Sequence, residues 1–498
     1  MRDRSALLIP ALLVLATIGA FAGVAHCGFV NFDDPLYVTS NPAVQQGLTL
    51  DTLHYAFTSN VQGIYHPLTI LSLALDAQLF GPNPAGFHLV NLFLHCVNVL
   101  LLYRFLLRML PDTWRCAFVA AIWAVHPQRV ESVAWVTERK DVLMALFGLA
   151  ALQAYVWYVK KPGRGQLGIV LVLLAMSLLS KPTLMTMPVL LLLLDFWPLK
   201  RTESWQRLLR EKIPVFLLCI SAVIVFGMIN SGVPQRPPNR DGPMTPIARV
   251  EYGITSYAWY AIRLIDFRDL AALYPVPTQI PIGAVIASAI GLLGVTLLVI
   301  QQRRDRPWLL MGWLWFVIAL SPSIGILFPQ TVIRADRFSY IPSIGLLIAI
   351  AWTVPSRWID SETPRRMMTA AATLIVIAMA IGSEWNIRYW RDSLSLWSHA
   401  LAVTQENWLA EGNYAVALDA AGLPEQAMPH YVASVKINPA SGQAHYNLGV
   451  ALEARHDRSG AVAEYRMAHR LEPTYTKASI ALLRLSTGPP DEPKFQMP

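Results

Sequence analysis

Two adjacent carboxylates, Asp33 and Asp34, stand in NFDDPLYV, a few residues after the first long apolar run. A carboxylate pair at a membrane surface can supply a general base or an oxygen site for a hard cation. Asp-Asp-Pro also simply opens turns. A denser set of titratable groups fills HPQRVESVAWVTERKD: His126, Arg129, Glu131, Glu138, Arg139, Lys140 and Asp141, with Glu131, Trp135 and Glu138 recurring at helical spacing. Lys181 stands alone in LLSKPT between two apolar runs, Arg334, Asp336 and Arg337 sit in RADRFSYIPSIG, and His66 sits in GIYHPLTIL. Cations in apolar surroundings want a partner. For Lys181 that is a phosphate, unless its stem snorkels to the headgroups. Acids and bases around one cavity would suit chemistry on a phosphorylated lipid, whereas ion pairing at helix ends is the plainer alternative.

The elements that must hold these residues are set by composition. Of 498 residues, 54% are hydrophobic and 14% charged, against roughly 25% charged in a soluble domain. Apolar runs lie at 6–25, 87–107, 116–135, 141–159, 167–180, 183–197, 213–230, 281–300, 307–328, 338–354 and 367–383, several of them near the ~20 residues that cross a bilayer. The expectation is an all-α, polytopic membrane protein of about eleven spans. The basic clusters at Arg2/Arg4, Arg104–Arg115, Lys160–Arg164, Lys200–Lys212, Arg303–Arg306 and Arg357–Arg366 are separated by even numbers of runs. By the positive-inside rule the N-terminus is then cytoplasmic and the C-terminal region extracytoplasmic, in periplasm or lumen. The first run exceeds the ~7–15 residues of a signal-peptide core and is read as an uncleaved span. The +8 formal charge sits mostly in short loops, with no basic stripe along a soluble element, so nucleic acid is not an expected partner. Cys27, Cys96, Cys116 and Cys219 show neither metal-ligand nor disulfide spacing. Two long segments, 26–86 and 231–280, fall on the far side. The second opens Pro-rich (PQRPPNRDGP) and continues as YGITSYAWYAIRL, an interfacial or re-entrant pattern.

From about Trp390 the composition becomes that of a soluble domain, and a 34-residue period appears. It relates Ala410, Ala444 and Ala478, Asn413 and Asn447, Ala427 and Ala461, and Trp397, Tyr431 and Tyr465, with Pro439 and Pro473 ending the units. This is the tetratricopeptide pattern, about two full units with flanking half-repeats, whose concave groove binds extended peptides or serves as a spacer or self-association surface. The organisation expected is a transmembrane domain over 1–383 and a repeat domain over 384–498.

NFDDPLYVTSNP, YHPLTILSLALDAQLFG, HLVNLFLHCVNVLLLYR, VHPQRVESVAWVTERKDVL, LLSKPTLMTMPVLLLLLDFWPL and RADRFSYIPSIG occur in this order, followed by the 34-residue repeat. Together they resemble the transmembrane-and-tetratricopeptide-repeat O-mannosyltransferases and their bacterial relatives, a family of GT-C class glycosyltransferases. The likeness covers nearly the whole chain, which differs from animal members in its few repeats and short first loop. The resemblance implies inverting transfer of a sugar, mannose among the options, from a polyprenyl-phosphate donor to a hydroxyl of a protein or glycan acceptor. It implies Asp33 as the base and Asp34 as its helper, with Lys181, Arg139, Arg337 and Arg334 as contacts to the lipid phosphate. His66, His126, Arg129, Glu131, Glu138, Lys140 and Asp141 would line the cavity. No metal ligand is assigned, and the only small molecule implied is the lipid-linked sugar. A non-catalytic scaffold recruiting partners through the repeats, and a flippase for lipid-linked sugars, are the rival classes.

Overall fold

The computed structural model describes residues 5–230, 244–277, 279–326 and 332–487; Arg2, Arg4 and PQRPPNRDGP lie outside the described residues. The described chain is helical, with only an isolated bridge between Val61 and Ile64. Each expected apolar run holds a helix: Ser5–Phe21, Pro84–Met109, Thr113–Val125, Arg139–Lys160, Arg164–Ser180, Met187–Phe196, Trp205–Asn230, Ile282–Gln301, Pro307–Leu320, Ser343–Thr353 and Glu362–Ile387. Six stretches are long and apolar enough to cross a membrane: Leu7–His26, Pro84–Met109, Val136–Lys160, Trp205–Ile229, Ile282–Gln301 and Glu362–Trp390. Other apolar helices are shorter, at 10–17 residues.

Three expected runs differ from the observed helices. The run 116–135 is one helix only to Val125. Pro127 has no N–H to donate and pushes the residue before it out of the helical region, and His126 is extended at φ −66°, ψ 132°. The chain then crosses the bundle end in short turns, Pro127–Arg129, Val130–Ala134 and Val136–Glu138, before Arg139–Lys160 begins. The runs 307–328 and 338–354 likewise hold shorter helices, ending at Leu320 and starting at Ser343. The 26–86 segment is itself helical, including Leu50–Thr58 and Pro67–Phe80, and YGITSYAWYAIRL lies in Pro246–Arg263.

Several polar groups inside the bundle find partners there, as an apolar medium demands. His95 bonds Tyr340 Oη at 2.6 Å and the Ala124 carbonyl at 2.9 Å, and Trp123 and Trp315 donate to the carbonyls of Tyr340 and Ile341. Helices Pro307–Leu320 and Ser343–Thr353 cross at two glycines. A Cβ on Gly312 would stand 2.3 Å from the Gly345 carbonyl oxygen, and one on Gly345 would stand 2.4 Å from that of Gly312.

Basic loops gather at one end. Lys160 Nζ donates to the Arg108 carbonyl at 3.0 Å, Arg115 donates to the Ala351 and Val354 carbonyls, and Arg201 pairs with Glu203 at 2.6 Å and Glu211 at 2.7 Å.

After Glu362–Ile387, which runs through residue 383, helix Ser393–Val403 leads into the repeats. Trp408–Ala420, Gly442–Ala454 and Thr476–Thr487 start 34 residues apart, as do Pro424–Ile437 and Arg458–Leu471. Asn407 and Ser441 cap their helices through the amides of Ala410 and Ala444, both at 3.1 Å. The small residues Ala410, Ala427, Ala444, Ala461 and Ala478 are buried where paired helices touch, an arrangement compatible with a tetratricopeptide solenoid. Within each hairpin a tyrosine hydroxyl reaches back twelve residues to an acid: Tyr431 to Asp419 at 2.6 Å and Tyr465 to Glu453 at 2.7 Å.

Candidate functional site

Four separate segments bring one cluster of charges together at the end of the bundle beside the repeats. Asp33 comes from the loop after the first helix. Glu131, Glu138, Lys140 and Asp141 come from the broken stretch that Pro127 opens. Lys181 ends helix Arg164–Ser180, where Pro182 prevents its continuation. Arg337 sits on the short turn Asp336–Ser339.

Glu138 is the hub. Its Oε1 lies 3.0 Å from Lys140 Nζ and 3.0 Å from Arg337 Nε, and its Oε2 lies 3.2 Å from Lys181 Nζ. Lys181 also pairs with Asp141 at 2.6 Å, Arg337 with Glu131, and Lys140 approaches Asp33 Oδ2 at 4.0 Å. Asp33 and Lys181 are therefore joined through Lys140 and Glu138. Trp135 carries Lys140 and Arg337 over its ring, each 5.3 Å from the centroid. The Glu138 side chain is fully buried, whereas Asp33, Lys181 and Arg337 keep 16%, 11% and 10% of theirs exposed. Those three are thus the groups of the network a ligand can touch.

The two adjacent aspartates do different things. Asp33 accepts from Gln62 Nε2 at 3.1 Å, and burial pushes its carboxyl up from 3.8 against the pull of Lys140 and Arg337. Asp34 turns inward, accepting from the Val30 amide at 2.9 Å and from the Thr137 amide and hydroxyl at 3.3 and 2.5 Å. It ties the loop to the 136–138 turn, and burial pushes it up to about 6 despite those donors. His66, at the N-terminus of Pro67–Phe80, stacks on Tyr37 with centroids 5.1 Å apart. Burial, then the charges of Lys140 and Lys181, hold it down to about 3, so it is neutral.

Four residues expected at the site are engaged elsewhere. Arg139 pairs with Asp76, with further bonds to Asn91, to Ser72 at 2.8 Å and to the Phe87 carbonyl at 2.9 Å. Its guanidinium is used up in holding Pro67–Phe80 and Pro84–Met109 together. Arg334 bonds Thr255 and Ser256 at 3.0 and 3.2 Å and lies over Trp259. His126 accepts from the Gln128 amide, and its Nε2 bonds the Leu264 carbonyl at 3.0 Å. Arg129 is fully buried, bonds Ser339 at 2.6 Å and faces the Tyr340 ring. Gln62 and Tyr37 were not anticipated at the site, nor Asp76 as the partner of Arg139. Asp76 had a signal, a lone acid in an apolar helix that must have a partner; Gln62 had none. Among the described residues no group of three or more His, Cys, Asp or Glu is placed to hold a metal.

Fold and site define a polytopic α-helical membrane protein with a buried acid–base cluster at the end that carries helical repeats. Residues 66–229 match the family described as dolichyl-phosphate-mannose-protein mannosyltransferase. The chain is 25% identical to protein O-mannosyl-transferase F38B6.6 of Caenorhabditis elegans over 87% of its length and 63% of that relative. It is 25% identical to protein O-mannosyl-transferase Tmtc3 of Drosophila melanogaster over 88% and 56% of the two chains, and 22% identical to human protein O-mannosyl-transferase TMTC3 over 93% and 55%. The chain is thus similar to proteins named protein O-mannosyl-transferases, and spans less than two thirds of the length of these relatives.

Proposed function

We propose that this protein is a membrane glycosyltransferase that moves a sugar from a polyprenyl-phosphate donor to an acceptor hydroxyl, a protein Ser or Thr being the acceptor its relatives' names suggest. The observation that carries the reading is the network joining Asp33 to Lys181 and Arg337, in which an acid and two cations remain partly open while their partners are buried. Asp33 takes the proton from the acceptor hydroxyl as its oxygen attacks the anomeric carbon. The bond from that carbon to the phosphate oxygen breaks, and polyprenyl phosphate departs as an anion. The leaving group needs cationic stabilisation rather than a proton, and Lys181 and Arg337 supply it. Because Lys181 already pairs with Asp141 and Glu138, the donor phosphate enters by sharing that ammonium. Asp34 orients the loop and takes no proton. His66, being neutral, offers hydrogen bonds without adding charge. The parity of the basic loops puts the site and the repeats on the extracytoplasmic face, with the N-terminus cytoplasmic.

The test is release of polyprenyl phosphate by the purified full chain in lipid, given polyprenyl-phosphate mannose and other polyprenyl-phosphate sugars with hydroxyl-bearing peptides. Turnover with one of them is expected. Inactivity with all of them, in a folded preparation, favours the scaffold reading.

A further inference from the structure

The Trp397 position belongs to the 34-residue series that continues at Tyr431 and Tyr465. In the two later hairpins the polar atom at this position bonds an acid twelve residues earlier, on the hairpin's own first helix. At Trp397 that partner is missing. Residue 385, twelve earlier, is an exposed tryptophan on Glu362–Ile387 that bonds Tyr389 instead. The indole Nε1 of Trp397 donates to Asn31 Oδ1, at 2.6 Å.

Asn31 turns two further groups the same way. Its Nδ2 donates to the Asn413 carbonyl at 2.9 Å and its backbone amide to Ser393 Oγ at 2.9 Å. Nearby, the Gly28 amide donates to the Arg391 carbonyl at 2.8 Å. Phe32 lies parallel on Trp135, centroids 4.5 Å apart, and packs T-shaped with Trp397, centroids 5.1 Å apart. Asn31 is 5% exposed and Trp397 fully buried. The open end of a solenoid needs a cap. Here residues 28–32 provide it, and the next residue is Asp33.

We propose that Asn31 is a positioning residue, gripped by Trp397, Ser393 and Asn413, through which the first repeat helices set the place of Asp33. The repeat region is then part of the catalytic apparatus rather than a tethered recruiter. The inference rests on the glycosyl-transfer reading of Asp33. Two residues of chain span at most about 7 Å, so a shift of Asn31 passes directly to that carboxylate. A misplacement of about 1 Å costs on the order of 10²-fold in rate.

The experiment uses the full chain in lipid and three variants. Trp397→Phe keeps the ring against Phe32 and removes the N–H, Asn31→Ala removes the gripped group, and Tyr431→Phe breaks the analogous bond one hairpin on. In Trp397→Phe and Asn31→Ala, kcat is expected to fall about 10- to 100-fold with donor affinity unchanged. Hydrogen exchange should speed up in the peptide spanning 28–37. Tyr431→Phe should lower the melting temperature comparably and leave kcat and that peptide alone. Wild-type kcat in Trp397→Phe, or an equal kcat loss in Tyr431→Phe, overturns the inference. So does unchanged exchange at 28–37, a readout that holds even if the wild type transfers no sugar; that inactivity would overturn the glycosyltransferase reading instead.

Discussion

Removing Lys181 does two things that can be separated. Its ammonium lies 2.6 Å from Asp141 and 3.2 Å from Glu138, with 11% of the side chain exposed. Lys181→Ala leaves Asp141 buried without its closest cation, and breaking a buried pair from one side costs about 3–5 kcal/mol. It also deletes the proposed charge-assisted contact to phosphate, worth about 1.5–3 kcal/mol, or roughly 10- to 150-fold in affinity at 1.4 kcal/mol per decade. The single variant therefore loses both stability and donor binding. Lys181→Met with Asp141→Asn removes both charges and keeps the bulk, so most of the stability should return while the donor still binds at least about tenfold more weakly. The assays are thermal unfolding in detergent and titration with a fluorescent polyprenyl-phosphate sugar. A double variant that binds donor like the wild type would refute the assignment of Lys181 to the phosphate. It would leave the lysine as the counter-ion of Asp141 and Glu138 alone.

Asp33→Asn should lower turnover by about 10²- to 10⁴-fold with donor binding nearly unchanged, and wild-type turnover in it would move the base elsewhere. Because burial raises the Asp33 carboxyl from 3.8, the base stays protonated to a higher pH than an open aspartate. The acid limb of wild-type kcat/KM, which reports the free enzyme, should therefore lie above the ordinary carboxylate range; a limb at or below it contradicts the assignment. Arg139→Leu should unfold the protein or strip about 3–5 kcal/mol from it, and adding Asp76→Leu should restore most of the loss; failure of that rescue would mean the arginine does more than pair with Asp76. A cysteine at the exposed Ser459 should react with an impermeant reagent on intact cells. Labelling only after lysis would reverse the topology.

Most of the membrane architecture was legible because apolar length and the charge of short loops are local properties. All eleven runs hold helices, yet their ends were misread where backbone chemistry outweighs hydropathy. Pro127 stops one helix ten residues before the apolar run does, and it is this break that lets Glu131, Glu138 and Lys140 turn into one site. The repeats were legible because a period of 34 is written in Ala410, Ala444 and Ala478. Which cation serves which acid was not. Arg139 and Lys140 are neighbours in sequence, yet one turns to Asp76 and the other to Glu138. The choice depends on where Pro67–Phe80 packs, and no local spacing encodes that.

The glycine crossing of Pro307–Leu320 and Ser343–Thr353 has a consequence for traffic through the bilayer. With a carbonyl oxygen 2.3 Å from where a Cβ on Gly312 would stand, no hydrocarbon tail can slip between these two helices. The crossing is closed to lipid, and the chain between the two helices carries Arg337. The isoprenoid chain of the donor proposed above therefore does not pass through this crossing. A methyl at Gly312 or Gly345 would act as a wedge, prying the two helices apart where their backbones now touch.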